Sequence, residues 1–266
     1  MNKQLLQIPL SLALALGLLA CAGTGGQGGA GQVPRTASDQ TELDRRANVR
    51  IELAYGYFTR GQYTTALDEL KQALAIKPDM REALNLRGLV YAALGEIPLA
   101  EESFKRTLSL YPNDPDGLHN YGWFLCQQRR FPESLAQFDL ALAQPQYRGT
   151  SRSLLAKGAC EATAGRPADA EKTLARAFEL DPANPAISVN LAEVLYRNGQ
   201  YERARFYVKR VNEQAEQANA QSLWLSLRVE RRLGNSATVA DLGQQLRRRF
   251  PQSPEVQALN NGRFDE

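Results

Sequence analysis

Histidine, cysteine, tryptophan and methionine are all scarce in this chain of 266 residues, which has one His, three Cys, two Trp and two Met. His119 has no second histidine to join it, and Cys21, Cys126 and Cys160 form no Cys-x-x-Cys pair, so neither a zinc centre nor a redox motif has its ligands. There is no Gly-x-Ser-x-Gly elbow, no phosphate-binding Walker loop and no zinc-protease signature, which leaves no nucleophile to pair with a base. The expected protein is therefore not an enzyme and carries no cofactor. Charge of one sign is lacking too: 32 basic residues face 29 acidic ones, and a net +3 gives no electrostatic case for nucleic acid. Long hydrophobic runs are confined to one short stretch at the start.

That stretch runs from Leu5 to Leu19 after Lys3, and it is too short and too interrupted to span a bilayer comfortably. It reads as a signal peptide over residues 1–20. Leu18-Leu19-Ala20-Cys21 is similar to a bacterial lipoprotein processing site, which makes Cys21 the lipidated first residue of the mature chain. Acyl chains contribute about 0.8 kcal/mol per buried methylene, so two or more give stable attachment. Ala22 follows, and by resemblance to lipoprotein sorting rules the absence of aspartate there favours the outer membrane, on its periplasmic face. Residues 21–40 hold six glycines and no large apolar side chain, so they cannot build a core and read as a tether.

What is abundant is repetition. In residues 47–80, apolar side chains recur at helical spacing through Ile51, Ala54, Tyr57 and Phe58, and again through Ala66, Leu70, Ala73 and Leu74. Gly61 separates the two runs and Pro78 closes the second. The pattern returns at 81–114, 115–150, 151–184, 185–219 and 220–253. Ala66 recurs as Ala100, Ser134, Ala170 and Ala204 and becomes Val239 in the last copy. The glycine recurs as Gly95, Gly165, Gly199 and Gly234, with Arg129 in its place in the third copy. A single hairpin cannot bury both faces, so the copies must stack, and the expected fold is an all-α solenoid of about six helix-turn-helix repeats over residues 41–266. Thr41 and Asp44 are spaced as a capping pair at its start.

The 34-residue period with these signposts closely resembles the tetratricopeptide repeat. By that resemblance, the second, fifth, ninth, twelfth and thirteenth positions of each unit face an inner groove. Ile51, Tyr55, Phe58, Leu89 and Trp123 then form an apolar stripe where solvent would otherwise lie, and these five are the expected partner-binding residues. The alternative is that a helix around Leu43 and Val49 folds over and covers them. The arginines at 228, 231 and 232 and at 247, 248 and 249 read as a solvated end cap, the alternative being contact with anionic lipid headgroups or an acidic partner. Cys126 and Cys160 lie in neighbouring first helices and are expected to be packed thiols, since helix axes stand about 8–10 Å apart and bridged Cα atoms lie within about 7 Å.

A lipidated start, a Gly-rich tether and repeats such as HNYGWFLCQQRRFPESLAQFDLAL and NLAEVLYRNGQYERARFYVKRV together resemble the lipoproteins of type IV pilus biogenesis known as pilotins. The resemblance implies a protein that binds secretin subunits, a protein partner, and promotes their insertion and multimerisation in the outer membrane. The alternative is a lipid-anchored scaffold of another cell-envelope machine.

Overall fold

The structure is a computed structural model, and it describes residues 41–264. The signal peptide, the lipidation residue Cys21 and the tether lie outside the described residues. Within them the chain forms thirteen α-helices and no strand. They pair as α1 (Glu42–Thr59) with α2 (Tyr63–Ile76), α3 (Arg81–Ala93) with α4 (Ile97–Leu110), α5 (Pro115–Gln127) with α6 (Phe131–Leu142) and α7 (Thr150–Thr163) with α8 (Pro167–Leu180). Then come α9 (Pro185–Arg197) with α10 (Tyr201–Asn212), α11 (Ala220–Arg232) with α12 (Ser236–Arg249), and a short α13 (Pro254–Asn260).

Local chemistry sets these boundaries. Thr41 and Asp44 form the expected capping box, and Lys77 closes an ion pair on the same aspartate. Asp114, Asn184 and Asn219 each accept a backbone N–H from the first turn of the helix they precede, meeting donors that no helical carbonyl can reach. At the other end, Gly61, Gly95, Gly165, Gly199 and Gly234 all sit at φ of 73–79°, the left-handed conformation that turns the first helix into the second. Arg129 takes the same turn at φ 60°, so the third hairpin closes with a strained side-chain-bearing residue.

Packing follows from small residues set against large ones. Ala66, Ala100, Ser134, Ala170 and Ala204 are fully buried at the crossings within hairpins. Gly88 lies under Phe104, Gly122 under Phe138 and Gly158 under Leu174, so close that a Cβ on Gly88 or Gly158 would stand 2.6 Å from the facing side chain. First helices also touch the first helices of the next repeat, as α1 does α3 and α5 does α7, whereas second helices do not touch one another. The stack is therefore tighter along the first helices, which places them on the inside of the curve.

Cys126 of α5 and Cys160 of α7 are joined in a disulfide, Cα to Cα 5.9 Å, which corrects the expectation of packed thiols. The expectation compared the wrong distances. Helix axes 8–10 Å apart carry Cα atoms about 2.3 Å off axis, so residues facing each other across the contact approach to bridging range.

His119 is buried, 8% exposed, where α5 meets α7. Its Nδ1 is 2.7 Å from Ser153 Oγ, which is in turn 2.8 Å from the Tyr147 hydroxyl, and its ring meets the Phe138 ring edge-on. Ser153 is fully buried, so this pair is sealed from any substrate and joins two repeats. Burial, and then the Arg152 guanidinium, hold the imidazole down at about 4, with Asp116 opposing. The unfolded chain therefore takes up the proton first, and stability falls as pH drops from 6.5 towards 4, by about 3 kcal/mol in full. Because the chain has one histidine, a single Hε1 proton resonance reports the titration. A midpoint near 4 is expected, and one between 6 and 7 would show a hydrated ring instead.

Candidate functional site

Four of the five residues expected to bind a partner line one cavity on the inside of the first repeats. Ile51, Tyr55 and Phe58 come from α1 and Leu89 from α3, and with Leu86 they form the apolar wall of a space of about 680 Å³. Ile51, Phe58 and Leu89 are half-buried because their inner sides also pack on the core of the first two repeats. Tyr55 is different: it is 60% exposed and stands into the groove. Nothing in α1 covers the stripe, since Leu43 and Val49 belong to that same helix and are themselves exposed.

The fifth, Trp123, lies on α5 and is 39% exposed, but it does not line this cavity, which α5 reaches only through Asp116 and Asn120. The repeat resemblance placed it by its position within one unit. It could not show that the cavity ends one turn earlier.

The rim is polar and mostly acidic, with Glu52, Glu82, Asp114 and Asp116 against Arg81 and Arg152. Arg81 pairs with Glu82 at 2.6 Å and with Asp114 at 3.2 Å, and Arg152 pairs with Asp116 at 2.5 Å. Asp114 is pushed up by burial even though Gly117 N–H donates to it at 2.8 Å. Asn85 lies at the floor, and its buried Oδ1 accepts no hydrogen bond. A buried acceptor without a partner is destabilising.

An apolar recess with a charged rim suits the binding of a protein segment. Among the described residues no group of acidic, histidine or cysteine side chains could hold a metal ion, and no helix is long and apolar enough to cross a membrane. Further along, at a position that the repeat resemblance also turns toward the groove, Arg228 is only 11% exposed rather than part of a solvated cap. Arg249 likewise donates to the carbonyls of Ala215 and Ala218, which fastens the end of the stack to the preceding loop.

Stacked helical hairpins with a lined inner groove define a protein-interaction scaffold of the tetratricopeptide-repeat class, and tetratricopeptide-repeat profiles match residues 51–115, 125–185 and 162–225. The crystal structure of PilW, described as a widely conserved type IV pilus biogenesis factor, is 32% identical with a TM-score of 0.76 and covers 83% of this chain and 100% of that one. The type IV pilus assembly protein PilF of Pseudomonas aeruginosa is 29% identical over 248 residues, 93% of this chain and 95% of PilF. A structure of PilF from the same organism superposes with a TM-score of 0.72 at 28% identity, covering 84% of this chain and 100% of that one. The chain belongs to the tetratricopeptide-repeat proteins of type IV pilus biogenesis.

Proposed function

We propose that this protein is a non-catalytic pilotin: a lipoprotein anchored through Cys21 at the periplasmic face of the outer membrane, which binds secretin subunits and promotes their localisation and multimerisation there. The observation that carries the reading is the apolar cavity of Ile51, Tyr55, Phe58 and Leu89, solvent-open in a chain of the pilus biogenesis family. An exposed aromatic in a recess is what an interface anchor requires, since burying it on binding releases apolar area that the free protein leaves wet. The Cys126–Cys160 bond supports export, because such bonds persist in oxidising compartments. The anchor rests on the sequence around Cys21 alone.

Affinity and tethering are enough for the mechanism. The groove captures an apolar segment of the secretin and keeps it from aggregating, and the lipid confines the complex to the membrane where subunits must meet, raising their effective concentration. Tyr55→Ala is expected to weaken secretin binding at least tenfold with the fold intact, as read by titration calorimetry and circular dichroism. Cys21→Ala should leave binding unchanged and abolish outer-membrane multimers. A photo-crosslinker at position 55 that captures a different envelope protein and no secretin would sink the assignment.

A further inference from the structure

The cavity at Tyr55 carries negative charge that its own residues leave uncompensated. Four carboxylates, Glu52, Glu82, Asp114 and Asp116, line it together with two guanidiniums, Arg81 and Arg152, and with no lysine or histidine. Arg81 is divided between two of the four: its Nε and one terminal nitrogen both donate to Glu82 Oε1, and the other terminal nitrogen lies 3.2 Å from Asp114 Oδ1. Arg152 donates to Asp116 at Oδ1. Among the described residues Glu52 pairs with no cation, and the second oxygens of Glu82 and Asp116 accept no hydrogen bond. The carboxylates also act on one another: burial is the main cause that raises Asp114, and the charges of Asp116 and Glu82 push the same way, against the Gly117 N–H and the Arg81 guanidinium.

Helical spacing couples this charge to the apolar wall. Glu52 and Tyr55 are three residues apart on α1, so they are neighbours on one face of the helix, with Cβ atoms about 5–6 Å apart. Both are exposed and both line the cavity. An apolar side chain seated against Tyr55 therefore brings the residues that flank it in its own chain to Glu52. The apolar wall strengthens what a cation meets there, because a recess with low-dielectric walls focuses the field of its carboxylates.

We propose that this cavity takes a segment of a protein partner in which a lysine or arginine stands next to an apolar or aromatic side chain, the apolar group against Tyr55, Phe58 and Leu89 and the cation among Glu52, Glu82 and Asp116. The inference rests on the pilotin reading for the identity of the partner and adds the chemistry of the segment that this partner presents. The exposed Tyr55 ring supplies affinity, since its apolar area leaves water on binding, and a cation can also lie over its face. The carboxylates supply selection, because an acidic segment of the same shape would bring like charges together in the recess.

The test uses the purified full chain at low ionic strength and two fluorescein-labelled probe peptides, Gly-Ser-Lys-Leu-Lys-Phe-Lys-Ser-Gly and its neutral counterpart Gly-Ser-Gln-Leu-Gln-Phe-Gln-Ser-Gly, read by fluorescence anisotropy. The basic probe is expected to bind at least fivefold tighter than the neutral one, and added salt should narrow the difference. Glu52→Gln should weaken the basic probe about threefold, the scale of one exposed ion pair, with the thermal midpoint unchanged because Glu52 holds no partner in the fold. Tyr55→Ala should weaken both probes. A smaller preference for the basic probe, no binding of it, or an unchanged affinity in Glu52→Gln overturns the proposal. So does a dimer that Tyr55→Ala converts to monomer in analytical ultracentrifugation, since a second copy would then occupy the cavity. The pilotin reading fails separately: a crosslinker at position 55 that captures another envelope protein leaves the preference for basic segments standing, whereas capture of a secretin with equal affinity for the two probes removes that preference alone.

Discussion

Cys126→Ala together with Cys160→Ala, or reduction of the bond with dithiothreitol, is expected to lower the free energy of unfolding by about 4 kcal/mol. The bond closes a loop of 34 residues. In the chain-entropy description, releasing a loop of that size returns about 13 cal/mol/K to the unfolded state, which is about 4 kcal/mol at room temperature. Little in the folded state offsets the loss, because both residues are buried between α5 and α7 and alanine fills less of that contact than sulfur. Each repeat touches chiefly its neighbours, so the weakened junction is expected to divide the stack. Urea unfolding followed by hydrogen exchange checks this: protection should fall first in α5 to α8. A change below about 1 kcal/mol would mean that helix packing alone holds that junction.

Phe104→Ala is expected to cost 3–5 kcal/mol, as for other buried phenylalanines. The ring is fully buried and lies 5.4 Å from the Phe124 ring and 5.8 Å from the Tyr121 ring, so its removal opens a cavity at the junction of the second and third repeats. Gly88→Ala acts at the same place in the opposite sense. Its Cβ would stand 2.6 Å from the ring, and since Tyr121 and Phe124 stop the ring from retreating, overpacking of about 1–3 kcal/mol follows. The two changes should not add. With Phe104 removed, the new methyl group enters the cavity, and the double variant is expected to be more stable than the sum of the single losses by about 1 kcal/mol or more. Chemical denaturation of the four proteins gives the coupling directly. Strict additivity would show that ring and glycine do not share the space.

Much of this was legible in the residues. A period of 34 with glycine at the first helix end, a small residue at the crossing and proline after the second helix implies hairpins that must stack, because local chain conformation and amphipathic spacing are properties of neighbouring residues. The capping of α1 by Thr41 and Asp44 was readable for the same reason. Placing Ile51, Tyr55, Phe58 and Leu89 on one inner face followed from the resemblance to the tetratricopeptide repeat, whose positions in each unit carry over to these residues.

Distances between repeats were not legible. Whether Cys126 met Cys160 depended on how closely α5 and α7 approach, and whether Trp123 shared the cavity with Tyr55 depended on where the groove bends away. The arginines of α11 read as surface charge, since a run of cations in sequence does not reveal that Tyr196 and Phe264, from distant parts of the chain, fold over and under them. The sequence by itself determined the hairpin, its repetition and the face each residue presents, all set within a few residues along the chain. Only the tertiary structure decided the bond between repeats and the cavity of the groove, because these arise from side chains some thirty residues apart that meet only when the hairpins stack.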